Sequence, residues 1–207
     1  MITIKNKKEI EIMAEGAEKL SAIMQKLEKM VKPGIKTKEL DKVAEDLVFK
    51  SGAEPSFKGH DGFPATLCVS INEQIVHGVP SERKIKDGDI VSLDIGLFYK
   101  GFHSDMAKTL PVGRVDFETL RLIKVTKKSL KIGINKAKPG NRIGDIENTI
   151  QRYIESQGFN VVRDLCGHGI GRELHEEPQI LNYGKRGTGP ELQEGMVLCL
   201  EPMVTAG

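Results

Sequence analysis

The sequence has few cysteines, no excess of either charge and no long apolar run. Its three cysteines, Cys68, Cys166 and Cys199, are far apart and form no C-x-x-C pair, so the sequence suggests neither a disulfide framework nor a thiolate zinc site. Isolated thiols are typical of a reducing compartment. The 31 basic side chains nearly balance the 29 acidic ones, so neither nucleic acid nor an anionic membrane is expected as the main partner. Since the N-terminus has no apolar signal segment and no run approaches the length of a membrane span, we predict a cytoplasmic protein.

The composition is typical of one soluble domain with a sizeable core, because 39% of the 207 residues are apolar and 29% are charged. We therefore predict a single domain over residues 1–207. Apolar side chains at helical spacing predict four amphipathic helices. They cover residues 7–30, 37–50, 117–137 and 143–157. Thr37 is the predicted N-cap of the second helix. The third helix is predicted to bury Leu120, Ile123, Leu130 and Ile134.

Short apolar runs bounded by turn residues predict the strands. Two of them form a hairpin, in which Lys100-Gly101 is a turn signal. The others are short and lie on both sides of it. The predicted strands cover residues 66–71, 75–80, 90–98, the segment that returns after residue 101, 159–165 and 196–204.

Two carboxylates lie on this hairpin. Asp94 stands in an apolar run, where an ionised side chain is costly unless it is paired, and Asp105 lies on the returning strand. If the hairpin is centred between Tyr99 and Lys100, the two aspartates are directly opposite, with Cβ atoms about 4.5–5.5 Å apart. Asp94 alone could cap a turn or pair with an arginine. Two facing carboxylates need a shared proton or a cation, which favours a metal site.

The two halves of the chain repeat each other. Lys32-Pro33-Gly34 recurs 106 residues later, and the segment 87–94 recurs, 107 residues later, as 194–201. The second match places Asp94 over Glu201. We therefore predict two pseudo-repeats, at about 7–112 and 116–207, in an α+β fold. Its curved antiparallel sheet is related by a pseudo-two-fold axis and carries two helices per half on its outer face.

The candidate donors are rich in oxygen. Asp94, Asp105 and Glu201 supply carboxylates, and His168 stands between glycines that are expected to let the backbone turn and expose its imidazole. Such a set favours Mn, Fe, Co or Zn over a structural zinc site, and two such ions could activate a water and polarise a carbonyl. His77 and His175 also lie near glycines, where a structural role and a functional role are about equally supported.

These residues fall in motifs that closely resemble the methionine aminopeptidases of the type I bacterial form, within the pita-bread metallopeptidases. The resemblance covers essentially the whole chain. Its most specific segments are Ser70-Ile71-Asn72-Glu73, Val76-His77-Gly78, Leu93-Asp94, His103-Ser104-Asp105, Cys166-Gly167-His168-Gly169-Ile170-Gly171, His175-Glu176-Glu177-Pro178 and Leu200-Glu201-Pro202-Met203.

The resemblance implies a role for each candidate residue. Asp94 would hold one metal through both oxygens, Asp105 would bridge two metals, and the second metal would be bound by His168 and Glu201. His175 would contact the scissile carbonyl or amide and help stabilise the tetrahedral intermediate. His77 would bind the substrate near the leaving amide, and Glu201 would receive a proton from the metal-bound water. The methionine side-chain pocket would be lined by Cys68, Phe63, His60 and Leu174.

The resemblance also implies a substrate and a reaction, namely removal of the initiator methionine from N-terminal methionine peptides and nascent chains. The family's fifth ligand is a second bridging Glu that follows the Glu-Pro-Met motif, and the sequence stops at Gly207 without it. We therefore expect a C-terminally truncated chain, a weaker second metal site and reduced activity. An inactive binding module of the same fold is the alternative.

Proline-directed peptidases are a further alternative. They carry a large extra N-terminal domain, whereas the first helix here begins near Lys7, which argues against them. We expect a monomer without a membrane partner. The lysine-rich helix faces are ordinary solvated surface in the simplest interpretation, and ribosome association is the alternative. The lysines concerned are Lys5, Lys7, Lys8, Lys127, Lys128 and Lys131.

Overall fold

A computed structural model describes all residues, 1–207, and has an α+β architecture, as predicted. The chain divides into two compact units. The first unit comprises Lys8–Thr119, and the second comprises Met1–Lys7 together with Leu120–Gly207. None of the four α-helices combines the length and the apolar character that crossing a bilayer requires.

Helices α1 (Lys7–Met30) and α2 (Thr37–Lys50) have the predicted bounds. The predicted N-cap is wrong by one residue. Lys36 caps α2 through its backbone N–H, which donates to Glu39 Oε2 at 3.2 Å. The Thr37 hydroxyl instead forms two hydrogen bonds with the backbone of Ser81, at 2.8 and 3.1 Å. A distant loop competes for this hydroxyl, and the local sequence does not show that loop.

Helix α3 (Phe117–Lys136) is correctly located, but its predicted buried stripe is wrong. Leu120 and Ile134 are 46% and 53% exposed. Small residues face the core instead, because a Cβ on Gly133 would lie only 2.7 Å from the Ile150 side chain of α4 (Ile143–Ser156). Close helix packing through small side chains carries no apolar signal in the sequence. The buried residues of α3 are Val125, Ser129 and Gly133.

The sheet of the first unit is organised around β3 (Ile90–Tyr99), which pairs antiparallel with β1 (Glu54–Pro55), β2 (Leu67–Ile71) and β4 (Phe102–Pro111). Alternate residues of β3 point to one face, where they are fully buried with the apolar stripes of α1 and α2. The β3 residues on that face are Val91, Leu93, Ile95 and Leu97. The other face of the sheet is therefore the one that carries Asp94.

The register of the β3–β4 hairpin differs from the prediction by two residues. Asp94 pairs with Ala107, and Asp105 pairs with Gly96. Lys100 and Gly101 form the two-residue turn, with φ of 49° and 87°, because such turns require a positive φ at both central residues. The aspartates are therefore diagonal neighbours, with Cα atoms about 7–8 Å apart, and not directly opposed. A shift of two residues leaves both on the same face.

The second unit has shorter strands than predicted. The segments 159–165 and 196–204 are mostly irregular, and in the first unit the segment 75–80 forms no strand. The observed strands are β5 (Asn160–Val161), β6 (Cys166–Gly169), β7 (Glu176–Leu181), β8 (Leu198–Cys199) and β9 (Val204–Thr205). Strand β6 lies between β7 and β8, and β5 pairs with β9. The core of this unit is built mainly on α4, through Ile146, Ile150 and Ile154.

Equivalent features recur in the two units. Helices α2 and α4 each have 14 residues, and 106 residues separate their first and last positions. Isolated bridges join Lys36 to Lys84 and Arg142 to Glu191 at nearly the same displacement. The recurrence therefore extends from sequence motifs to backbone pairing.

Candidate metal centre

In the first unit, the sheet face opposite the apolar core carries both aspartates. Cys68 of β2 pairs with Asp94, so its thiol lies on that face beside the carboxylate. Gly96 lies two residues after Asp94 on β3 and pairs with Asp105. A Cβ on this glycine would come within 2.6 Å of the Phe57 ring. The glycine therefore lets the loop before β2 lie over the strand. The aspartates themselves are partly buried.

Cys68 is only 3% exposed. Burial, and then the charges of Asp94 and Asp105, hold the pKa of this thiol far above its usual range. The thiol is therefore neutral and behaves as a small apolar group.

His103 lies on the same face as Asp105, two residues earlier on β4. Its Nδ1 is 2.8 Å from the Ser56 hydroxyl, and its ring centroid is 4.6 Å from that of Phe98. Sequence reasoning gave His103 no role, although the alternation of side chains along β4 already placed it beside Asp105.

In the second unit, His168 lies on β6 and is 8% exposed, so the predicted exposure of its imidazole is wrong. A Cβ on Gly167 would collide with the carbonyl oxygen of Cys199, and one on Gly169 would collide with that of Glu177. The two glycines permit close backbone packing around the histidine. They do not turn the chain away from it.

The protonation of His168 follows from its hydrogen bond. Nδ1 is 2.7 Å from the carbonyl oxygen of Gly169. A carbonyl can only accept, so Nδ1 carries a proton, and in the neutral form of the ring the lone pair is on Nε2. Nε2 lies 3.2 Å from Glu201 Oε1, a buried atom that accepts no hydrogen bond. Two electron-rich atoms this close are best satisfied by a cation, and an imidazole oriented through its other nitrogen is the usual form of a metal ligand.

Cys199 joins this group, and sequence reasoning missed it. The ligand atoms of His168, Cys199 and Glu201 all lie within 4.8 Å of one another. Cys199 pairs with His168 in the β6–β8 register. Its position two residues before Glu201 was the available signal, because alternate residues of an extended segment share a face. Imidazole, carboxylate and thiol donors fit a divalent transition metal.

The loop between β6 and β7 carries the next two candidates. The ring of His175 is exposed and meets the ring of His168 edge-on, with centroids 4.5 Å apart. Leu174 is 3% exposed and points into the unit. The second unit thus brings together three of the predicted site residues, namely His168, Glu201 and His175, and Leu174 directly precedes His175 in the loop.

The remaining candidates lie in the first unit. His77 is exposed and has a φ of 57°, in a segment where Gly78 bonds to the β2 backbone. His60 begins a 3-10 turn that ends at Gly62, and its Nε2 lies 3.7 Å from Asp61. Phe63 follows that turn and is partly buried.

Comparison with known proteins places this geometry in a family. The chain is 51% identical to the methionine aminopeptidase of Clostridium perfringens over 207 residues, which are 100% of this chain and 83% of that protein. The crystal structure of the methionine aminopeptidase from Thermotoga maritima matches with a TM-score of 0.98 and 44% identity, over 100% of this chain and 84% of that one. These matches confirm the predicted pita-bread fold, and they give no support to the alternative of an inactive module.

A more distant match addresses the proline-directed alternative. The Xaa-Pro dipeptidase from Bacillus anthracis shares the fold, with a TM-score of 0.83 and 29% identity, over 96% of this chain but only 54% of that one. The sequence pattern of metallopeptidase family M24 covers residues 11–207. With this pattern and the 51% identity found above, the chain belongs to metallopeptidase family M24.

Proposed function

We propose that this protein hydrolyses the peptide bond after an N-terminal methionine. One structural observation carries the proposal, namely that Nε2 of His168 lies 3.2 Å from Glu201 Oε1, a buried oxygen that accepts no hydrogen bond. Such a pair is arranged to hold a cation. Family membership and the similarity to proteins named methionine aminopeptidase direct the choice of reaction.

Four of the residues predicted from the sequence would hold the metal, namely Asp94, Asp105, His168 and Glu201, with the Cys199 thiol beside the last two. We propose two divalent ions, drawn from Co, Mn, Fe and Zn, because the donors are mainly carboxylate oxygens with one imidazole. When bound, such ions supply Lewis acidity toward the scissile carbonyl and lower the pKa of water.

The protein's own groups would bind and orient the substrate. The exposed imidazole of His175 is held against the ring of His168, so it can donate a hydrogen bond to the scissile carbonyl oxygen or amide as negative charge develops. His77, which is also exposed, would bind the substrate near the leaving amide. The carboxylate of Glu201 would accept a proton from the attacking water.

The methionine side chain would be bound by Phe63, Cys68, His60 and Leu174. Leu174 and Cys68 are each 3% exposed, and burial keeps the Cys68 thiol neutral because it raises its pKa. An aliphatic side chain and a neutral thiol are both chemically suited to contact an apolar thioether. The exposed His60 would lie at the mouth of such a pocket.

We propose further that the protein acts as a cytoplasmic monomer on nascent chains. Lys127, Lys128 and Lys131 are exposed on α3 and would give a salt-dependent contribution to ribosome association. Lys5, which was grouped with these surface lysines in the sequence, is buried and makes no such contribution.

The decisive experiment compares Asp94→Asn with Asp46→Asn, an exposed aspartate of the same unit. Cleavage of Met-Ala-Ser is measured with added Mn or Co, beside elemental analysis of the purified proteins. We expect Asp94→Asn to lose bound metal and at least about a hundredfold in kcat/KM, since the carboxylate acts through the ions. Asp46→Asn is expected to behave as wild type.

Two results would contradict the proposal. One is full metal content and full turnover in Asp94→Asn. The other is a wild-type enzyme that cleaves a Xaa-Pro dipeptide faster than Met-Ala-Ser, which would favour the proline-directed reaction of the more distant relative.

A further inference from the structure

Lys5 is a buried lysine outside the proposed metal-binding and substrate-binding residues. Its residue exposure is 4%, and it belongs to a short N-terminal segment that is part of the second unit. The backbone N–H of Lys5 donates to the carbonyl of Gly195 at 2.8 Å. Burying an ammonium group costs free energy unless the charge is paired, so the residue that pairs with Lys5 indicates the structural role of this buried charge.

That partner is Glu176, the residue directly after His175. Lys5 Nζ lies 2.6 Å from Glu176 Oε2, and the two side chains are 2% and 8% exposed. Burial by itself would raise the pKa of Glu176, but the hydrogen bonds from Lys5 and from the Glu173 backbone outweigh it and lower the pKa. The carboxylate is therefore ionised and firmly bonded.

The second oxygen of Glu176 holds the loop that carries His175. Glu176 Oε1 accepts the backbone N–H of Arg172 at 2.8 Å and, more weakly, that of Glu173 at 3.4 Å. One carboxylate thus joins the side-chain ammonium of Lys5 to the backbone of residues 172–173.

The ion pair also packs against the backbone where this loop begins. A Cβ on Gly171 would collide with the Lys5 side chain and would lie 2.5 Å from Glu176 Oε1. The loop is therefore held from Gly171 to Glu176, with His175 as its last residue before the strand.

We propose that Lys5 is a positioning residue for His175, acting through Glu176 and the 171–176 loop; this inference rests on the proposed peptidase function. A buried ion pair contributes little net stability compared with an apolar pair of the same volume. Its directional hydrogen bonds do fix a geometry. Here they fix the loop that places the imidazole of His175 against His168.

Four variants separate positioning from stability. Lys5→Met removes the ammonium but keeps an apolar stem, and Glu176→Gln keeps an acceptor for the Arg172 amide without the charge. The double variant Lys5→Met with Glu176→Leu leaves no buried charge unpaired, so it should regain the stability that Lys5→Met loses. Lys100→Met removes an exposed lysine of the first unit, which pairs with Glu15 at 2.8 Å, and serves as the control.

In the active enzyme we expect kcat for Met-Ala-Ser to fall about tenfold or more in Lys5→Met and in the double variant, while KM changes less than about twofold. The kcat of Glu176→Gln should lie between the values of these variants and that of the wild type. Lys100→Met should keep the wild-type kcat. Metal content should be unchanged in every variant, because none of the proposed ligands is altered.

Hydrogen exchange gives a readout that does not depend on activity. We expect the Arg172 amide to exchange about tenfold faster or more in Lys5→Met and in the double variant, because its acceptor is displaced or removed. The His175 ring signals in the NMR spectrum should shift in the same two proteins.

Three results would overturn the inference. They are a double variant whose kcat recovers together with its stability, wild-type exchange at Arg172 in Lys5→Met, and loss of metal from Lys5→Met. If the wild-type protein fails to cleave Met-Ala-Ser, the proposed function fails instead, and the Arg172 exchange and the His175 signals still test the coupling between Lys5 and the loop.

Discussion

In the first unit, three strands of five to ten residues run beside one another, whereas in the second unit only β7 exceeds four residues. The first unit holds its candidate ligands on a continuous backbone ladder above an apolar core. The second unit joins short segments through buried polar side chains. Asn182, for example, donates to the carbonyl of Leu165 and accepts from the N–H of Met203, both at 3.1 Å.

The difference shows two ways to fix a carboxylate. Asp94 is placed by strand register, so its position depends on the pairing of whole strands. Glu201 lies in an irregular segment, and its surroundings depend on individual bonds and on glycines that allow close backbone contact. Substitutions should therefore act through apolar packing in the first unit and through polar partners or steric contact in the second.

The largest expected effect is in the core of the first unit. Leu93 is fully buried beneath the sheet, so Leu93→Ala should lower the free energy of unfolding by about 2–5 kcal/mol. Chemical denaturation followed by circular dichroism measures this. A loss below about 1 kcal/mol would show that the apolar layer does not dominate the stability of this unit.

Next comes a steric substitution in the second unit. Gly169→Ala should cost about 3 kcal/mol, because the new methyl group meets the Glu177 and Glu176 carbonyl groups, which are backbone and cannot rotate away. His168 would be displaced with its strand, so metal affinity should fall as well. Gly207→Ala, where no atom lies within 4 Å of the added group, is the control for unfolding and metal titration.

A smaller loss is expected from a polar partner. Asn182 is 3% exposed, and Asn182→Ala should cost about 1–2 kcal/mol because a partly buried carbonyl and a partly buried amide lose their partner. Thermal unfolding measures the change. An unchanged midpoint would mean that backbone pairing alone holds the second unit, and the contrast between the units would then be lost.

The smallest effect is a pH dependence confined to the second unit. Burial raises the pKa of Glu147 above 4.5, although the Leu181 amide, which donates to it at 2.8 Å, opposes the shift. The folded state then binds more protons than the unfolded state, so stability falls as the pH rises from about 4.5 through the folded pKa. Glu147→Gln keeps the acceptor and removes this fall.

The gain in melting temperature of Glu147→Gln over wild type should therefore be larger at pH 7.5 than at pH 4.5. Glu194→Gln, at an exposed position of the same unit, should show no such trend. A gain that is equal at both pH values would contradict the assignment.

Local patterns predicted the helices well. The bounds of α1 and α2 follow from apolar periodicity and from the break at Lys32-Pro33-Gly34, which are properties of neighbouring residues. The candidate donors His168 and Glu201 were also found from the sequence, through motif resemblance and internal repetition, and the structure brings them together.

Several of the errors share a physical cause, because they depend on contacts between distant segments. Ser129 and Gly133 lie on the buried face of α3 because α4 packs closely against that helix. The burial of His168 depends on the strands on either side of it, and that of Lys5 depends on a carboxylate 171 positions away. Neither composition nor periodicity contains these contacts.

The two-residue turn at Lys100-Gly101 fixes the register of the hairpin, and the register sets the distance between Asp94 and Asp105. If an added residue shifted the pairing register of β4 by one, every side chain of β4 would change face, and Asp105 would point into the apolar layer. A hairpin loop of three to five residues can instead take up the added residue and keep the pairing of Asp94 with Ala107. Length variation at this turn is therefore compatible with the site only where the loop itself absorbs the extra residues, so the turn constrains the position of a ligand without contributing any residue to the site.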